Sequence, residues 1–265
     1  MKHIVFYSGG IGSWATAKRV IKEHGNENTI LLFTDTLIED TDLYRFIDET
    51  VKEMDVKFVR IEDGRTPWEV FKDVRYLGNS RLAQCSHILK QKTSEKWLKD
   101  NFKPEECILY LGIDWTEEHR TKAPRKHWHP YHVEFPMCKE PYVTKDEMLK
   151  ELENLGIEQP RLYKMGFSHN NCGGFCVRAG QGHFANLLKQ MPDLYKYHEN
   201  KEEEMRKFLK KDVSILRRTR NGKRFNLTLK QLREELESNQ TENVDMNDIG
   251  GCGCFVNFDK KINFI

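Results

Sequence analysis

The chain has 265 residues, 38% hydrophobic and 32% charged, with a formal net charge of +2. That length suits one α/β domain with a C-terminal extension, or two small domains, and the near-neutral charge excludes a strong global field for nucleic acid but not a local one. No stretch approaches the ~20 apolar residues of a membrane span; the Met1-Lys2-His3-Ile4 start reads as a strand, not a signal peptide; and seven cysteines without a signal point to a reducing cytoplasm, where thiols serve metal or chemistry.

The first apolar run, Ile4-Val5-Phe6-Tyr7, reads as a strand. Ser8-Gly9-Gly10-Ile11-Gly12-Ser13 follows, and then a segment with helical spacing at Trp14, Ala17, Val20 and Ile21. A strand, a Ser/Gly turn and a helix N-terminus make an anion site, because glycines let amides approach an oxyanion and the helix dipole favours negative charge. A nucleotide phosphate on the first βα turn of an α/β domain is the expected ligand. Gly10-x-Gly12-x-x-Ala15, with Asp35 20 residues beyond Ala15, fits the dinucleotide fingerprint. The SGGxxS loop of PP-loop ATP pyrophosphatases fits the same residues, and a plain glycine turn is the bland alternative.

Ile30-Leu31-Leu32-Phe33 reads as a second strand, ending in Thr34-Asp35-Thr36. Leu43, Phe46, Ile47 and Val51 carry helical spacing, and residues 56–61 read as a third strand. The segment from Arg81 through Cys85 to Lys90 opens a helix that reaches about Leu98. A strand at Ile108–Leu111 then runs into Gly112-Ile113-Asp114-Trp115-Thr116-Glu117-Glu118-His119-Arg120. This order resembles the phosphoadenosine phosphosulfate (PAPS) reductase family of the PP-loop superfamily. Those proteins place a glycine/serine loop, an Asp-Thr after the second strand, an Arg…Cys…Leu-Lys segment and a Gly-x-x-x-x-Glu-x-x-Arg segment in that order, here over roughly residues 4 to 135.

The resemblance implies a Rossmann-like, three-layer α/β fold around a parallel sheet, in a PP-loop domain over 1–135. A mostly helical, cysteine-containing region is expected over 136–265. It further implies that the amides of Gly9, Gly10 and Gly12 hold phosphate and that Ser8 and Ser13 donate hydroxyls. Asp35, with Thr36, would lie on the sugar or base side, and Arg81, Lys90 and Arg120 would neutralise phosphates or a second substrate. Two departures matter. Many PP-loop enzymes carry Lys-Asp where this chain has Ile11 and Gly12, which removes a phosphate cation and a Mg²⁺ contact. The reductases' Glu-Cys-Gly-x-His pentapeptide is absent, and Gly251-Cys252-Gly253-Cys254-Phe255 is its nearest counterpart.

Four cysteines form two glycine-rich pairs, Cys172/Cys176 and Cys252/Cys254. Glycines let both thiolates of a pair curl onto one ion. Together the pairs supply the four-sulfur set that Zn²⁺ prefers, or that an iron–sulfur cluster accepts; buried free cysteines are the alternative. Cys107 and Cys138 read as packing residues. Cys85 lies near the cations Arg81 and Lys90, which favour a thiolate and suit a sulfur carrier, cluster ligand or substrate contact. If Cys85 joins Cys172 and Cys176, a three-cysteine [4Fe-4S] site, as in some tRNA-thiolating PP-loop enzymes, rivals the zinc clamp.

His127-Trp128-His129-Pro130-Tyr131-His132 is weak as a metal motif because Pro130 breaks the spacing. Trp128 and Tyr131 serve either as base-stacking groups or as an aromatic plug. Farther on, Thr144-x-x-Glu147 and Thr228-x-x-Gln231 read as helix caps, residues 194–211 as a charged, solvated helix, and Asn221-Gly222 as the turn of a basic hairpin able to touch nucleic acid. Residues 238–250 read as a loose linker.

These features converge on an adenine-nucleotide enzyme, with ATP or a PAPS-like nucleotide and optional Mg²⁺. It would adenylate an acceptor for sulfur or nitrogen transfer, in the manner of phage-borne and nucleic-acid-modifying relatives. A nucleic-acid acceptor, a sulfur-donor protein and a homodimer are the partners it admits. A PAPS or adenylylsulfate reductase and a non-catalytic nucleotide sensor are the alternatives.

Overall fold

The computed structural model describes residues 1–251 except Asn221 and Asn239. Its first part alternates strand and helix: β1 (Lys2–Phe6), α1 (Ile11–His24), β2 (Thr29–Asp35), α2 (Thr41–Met54), β3 (Lys57–Glu62) and α3 (Pro67–Asp73). A π-helix, Ser86–Lys92, runs directly into α4 (Thr93–Asn101), followed by β4 (Cys107–Tyr110), α5 (Lys122–Trp128) and β5 (His132–Glu134). The five strands pair in parallel in the order β3-β2-β1-β4-β5. Strand order reverses beside β1, and in such sheets a crevice opens there at the carboxyl ends of the strands.

The central strands are near-continuous apolar runs because helices cover both sheet faces. On one face Val5, Tyr7, Leu31 and Phe33 pack with Trp14 and Val20 of α1 and with Leu43, Phe46 and Ile47 of α2. On the other, Ile4, Phe6, Ile30 and Leu32 pack with Leu98 of α4 and Trp128 of α5. The expected Rossmann-like architecture is thus present. Trp128 lies against Phe6, with ring centroids 4.9 Å apart, and the Tyr131 hydroxyl donates to Phe102 O at 2.9 Å. Both aromatics plug this core, so they are not available to stack a base.

The sheet core does not stop at residue 135. Helix α6 (Lys145–Asn154), capped by the Thr144/Glu147 box, sends Met148 and Leu152 into the α1–α2 side. A third core follows around α7 (Arg161–Lys164), α8 (Gln181–Gln190), α9 (Pro192–Leu209), the hairpin β6 (Leu216–Arg220)/β7 (Lys223–Leu227) and α10 (Leu229–Glu237). Trp68, Phe71, Leu77 and Ala83 from the first half share that core with Phe175, Phe184, Tyr195 and Leu229, which fastens the two halves together.

Two sequence expectations give way here. Helix α9 is not simply a solvated charge run, for it buries Tyr195, His198, Glu199 and Glu202. Glu202 accepts the Ile215 amide at 2.8 Å and the Leu229 amide at 2.6 Å, and burial raises its pKa to about 7. Residues 238–250 are not a loose linker. Val244 joins the third core, Gly250 forms a β-bridge with Ala179, and the Gly180 amide donates to Ile249 O at 3.2 Å. Among the described residues no helix is long and apolar enough to cross a membrane.

Candidate functional site

The Ser8–Ser13 loop closes the carboxyl end of β1 and starts α1. Gly9 adopts φ +73°, and a Cβ there would lie 2.9 Å from Leu43 Cγ, so glycine is required by both backbone and space. Gly10 caps α1 without a side-chain hydrogen bond, and the first turn of the helix holds no acid. The Ser13 hydroxyl donates to Gly10 O at 2.8 Å and accepts the Ser8 amide at 3.2 Å, which folds the loop on itself. Across the switch point, a Cβ on Gly112 would sit 3.0 Å from Gly12 O, so the loop and the chain leaving β4 meet backbone to backbone.

A cleft of about 270 Å³ opens at this point. Ser8, Gly10, Gly12 and Ser13 line it together with Lys90 and Arg120, so six of the expected residues converge. Asp114 and Glu117 line it too. Asp114 accepts the Thr116 amide at 2.8 Å, and Glu117 is ion-paired with Arg120. The opposite wall comes from the C-terminal half: Lys145, Met148, Tyr163 and the Ser168–Asn171 stretch. The Ile11 amide donates to the Tyr163 hydroxyl at 3.1 Å, and Asn170 Nδ2 donates to Gly9 O at 2.8 Å. Lys145 Nζ lies 4.0 Å above the Tyr163 ring and donates to Ser168 O at 3.1 Å, and burial lowers its pKa. Three cations and a helix N-terminus around one opening favour a polyanion.

Sequence reasoning missed Lys145, Tyr163 and Asn170. Their positions carry no motif. Only docking of α6, α7 and the stretch after α7 brings them back to the loop, across 152 residues from Tyr163 to Ile11 and 161 from Asn170 to Gly9.

Lys90 also lines a second, narrow pocket of about 20 Å³, with Thr36, Cys85, Cys172, Cys176 and Arg178. The structure thus gathers Cys85 with the Cys172/Cys176 pair. Among the described residues, however, no group of three His, Cys, Asp or Glu side chains is disposed to hold a metal ion. Cys252 and Cys254 lie outside the described residues. The other two cysteines are elsewhere: Cys107 is buried with its pKa raised by burial to about 11, and the Cys138 thiol donates to Ile113 O at 3.3 Å.

Three expected residues line neither cavity: Gly9, whose carbonyl is turned to Asn170 Nδ2, and Asp35 and Arg81. Asp35 is buried at the end of β2, held by Arg60 at 2.6 Å, the Tyr44 hydroxyl at 2.9 Å and the Leu37 amide at 2.7 Å. These bonds occupy its carboxylate within the fold. Arg81 is exposed on the turn before the π-helix and lines neither cavity.

Residues 2–129 match the family model of the phosphoadenosine phosphosulfate reductase domain. No curated protein sequence matches the chain. Among solved structures, PAPS reductase from Candida auris in complex with phosphate is 11% identical, over 63% of this chain and 78% of that one, with a TM-score of 0.41. The U34-tRNA thiolase NcsA from Methanococcus maripaludis, with its [4Fe-4S] cluster, is 14% identical over 79% and 71%, with a TM-score of 0.45. An NH3-dependent NAD synthetase from Campylobacter jejuni subsp. jejuni, in complex with nitrate, is 12% identical over 79% and 84%, with a TM-score of 0.39.

Proposed function

We propose that the protein is an adenine-nucleotide enzyme of the PP-loop type that adenylates an acceptor and exchanges the AMP for sulfur. One observation carries this reading: a cation-lined cleft at a strand–loop–helix anion site shares Lys90 with a pocket of three cysteines. The nucleotide phosphates lie over the amides of Gly10 and Gly12 and the hydroxyls of Ser8 and Ser13. Lys90, Arg120 and Lys145 offset charge that grows on the α-phosphate as the acceptor oxygen attacks and pyrophosphate leaves. A persulfide on Cys85, loaded by the sulfur-donor protein, then attacks with its outer sulfur and displaces AMP, and an external thiol cleaves the resulting disulfide at the Cys85 sulfur, freeing the thiolated acceptor and leaving a mixed disulfide on Cys85. Asp114 and Glu117 are the carboxylates that would hold Mg²⁺, whose chemistry is to neutralise phosphate oxygens. A nucleic-acid acceptor is the reading favoured by the basic hairpin, where Arg220, Lys223, Arg224 and Phe225 are all exposed. Pyrophosphate release from ATP and Mg²⁺, stimulated by a thiol source and tRNA or DNA, is the expected result; no release with any acceptor refutes the enzyme reading.

Two observations keep other readings in play. The family match over residues 2–129 supports a PAPS reductase, which would free sulfite from PAPS with a thiol donor. Ile11, 5% exposed, offers phosphate no side-chain cation, which supports a nucleotide sensor that binds ATP without cleaving it.

For the metal we propose the set Cys172, Cys176, Cys252 and Cys254, with zinc as the ion and a [4Fe-4S] cluster as the rival. Support comes from the course of the chain: the Gly251 amide lies 3.5 Å from Arg178 O, two residues beyond Cys176. Cys252→Ser is expected to abolish binding of about one zinc per chain. Retention of metal in Cys252→Ser but loss in Cys85→Ser, with a brown colour absorbing near about 400 nm, would establish the three-cysteine cluster instead.

A further inference from the structure

Trp115 is 41% exposed and Tyr142 is 52% exposed, and their ring centroids lie 5.3 Å apart at a tilt of 38°. The other four tryptophans sit in or against the cores. Both rings stand on anchored backbone. Trp115 opens the helical turn segment Trp115–Thr121, which Asp114 caps by accepting the Thr116 amide. Tyr142 belongs to the loop before α6, where the Pro136, Lys139 and Pro141 carbonyls all accept from the Arg19 guanidinium. Close sequence neighbours of both rings line the cleft, Asp114 and Glu117 for Trp115 and Lys145 for Tyr142. The pair therefore joins the chain after β4 to the C-terminal wall at the rim of the cleft. Helix α5 starts where the Trp115 segment ends, and its exposed Lys122, Arg125 and Lys126 share one face at i, i+3, i+4 spacing.

We propose that Trp115 and Tyr142 form a stacking platform for an unpaired base of a nucleic-acid strand, with Lys122, Arg125 and Lys126 on the strand's phosphates. The inference rests on the nucleic-acid acceptor of the proposed function and puts that acceptor at the cleft mouth. Two observations separate this base from the adenine of the nucleotide. The cleft has apolar surface of its own for an adenine, from Phe6, Leu111, Ile113, Met137 and Met148. Its volume of about 270 Å³ is also filled by one nucleotide, since pockets for single small ligands begin near ~300 Å³. A second base therefore lies outside, where the rim offers two rings. Exposed cations beside exposed rings match the phosphates and bases of a single strand, whose base faces are free to stack. The bases of a duplex are already stacked on each other, so the platform selects against it.

The test is fluorescence anisotropy of labelled single-stranded 12-mers of mixed sequence, RNA and DNA, titrated with the full chain, beside calorimetry of ATP binding. Trp115→Ala and Tyr142→Ala are each expected to weaken binding of the single strand about fivefold or more, the lower range for one base–aromatic stack, and Trp115→Phe to hold it within about twofold. Lys122→Ala and Lys126→Ala should each lower the slope of log affinity against log salt by about 0.7. ATP affinity of the two ring variants should stay within about twofold of the parent protein. A pair that serves only as a clasp would lower the melting temperature of the alanine variants and leave their strand affinity at the parental value, which overturns the proposal. Loss of ATP affinity with strand affinity kept assigns the rings to adenine and overturns it as well. A parent protein that binds ATP but neither 12-mer removes this proposal and the nucleic-acid acceptor together, whereas strand binding indifferent to both rings removes the proposal alone.

Discussion

The two cavities differ in how they are made. The cleft is the product of sheet topology: the strand order reverses between β1 and β4, and the Ser8–Ser13 loop lines the crevice at their carboxyl ends. The thiol pocket exists only because the 171–176 segment docks against the loop after β2, far from it in sequence. The first site is wider, and its loop wall is built from a local turn. The second is narrow, lined mainly by apolar surface and built from long-range packing. Anion binding should therefore tolerate damage to the C-terminal half better than thiol chemistry does, up to the point where Tyr163 and Asn170 support the loop.

The largest test of this contrast is Gly173→Val. Gly173 has φ +59° and no room for a Cβ beside Ile38 O, so the substitution should destabilise by about 4 kcal/mol. Chemical denaturation with near-ultraviolet detection of Trp68 would report it. A loss under about 1 kcal/mol would mean that the cysteine segment does not seat as described. Gly10→Val acts on the other cavity. Gly10 has φ −98°, which any residue adopts, so the fold should survive. Its Cβ would lie 3.3 Å from the Tyr163 hydroxyl and 3.7 Å from Ser8 Oγ on the cleft wall, and the crowding should weaken ATP binding by at least ~100-fold, about 3 kcal/mol; unchanged affinity for ATP, AMP and PAPS would discard the loop as the phosphate site.

Glu202 separates the cores by pH. Its folded pKa of about 7 exceeds the ordinary 4.5, so the folded chain holds a proton that the unfolded chain gives up between those values. Stability from this group is full below about pH 4.5 and is lost as pH rises to about 7, by about 3 kcal/mol in all. Glu202→Gln should flatten this slope in urea titrations and gain about 2 kcal/mol at pH 8, since one amide loses its acceptor. Tyr163→Phe removes the acceptor of the Ile11 amide and should lower stability by about 1 kcal/mol, seen as a melting shift of a few degrees. Arg81→Ala should change nucleotide affinity less than about twofold and stability within ~0.5 kcal/mol; a tenfold loss of affinity would restore Arg81 to the site.

What the sequence made legible follows the range of the interactions. Strands β1 to β4, the glycine loop and the Thr144 and Thr228 caps are fixed by neighbours within a few residues, and each stands where its pattern points. Asp35 occupied the position a ribose ligand would take, but Arg60 and Tyr44 approach it only once β3 and α2 are in place. Lys145 carried no pattern at all. Glu202 looked like surface charge because α9 is polar on average, and its buried stripe becomes visible only against Ile215 and Leu229. The coming together of Cys85, Cys172 and Cys176 was open as one of two arrangements, and no periodicity could choose between them.

The π-helical turn at Ser86–Lys92 has an evolutionary consequence. Residues five apart on an α-helix point about 140° away from each other. At the roughly 4.4 residues per turn of a π-helix, they point within about 50°. That widening is what puts Cys85 and Lys90 on the walls of one pocket. Deleting a single codon inside the turn would restore ordinary helix and swing the ammonium away from the sulfur, while the hydrophobic anchors Leu89 and Leu98 could re-register. Pairing of this thiol with this cation is thus one indel from being lost even with both residues kept.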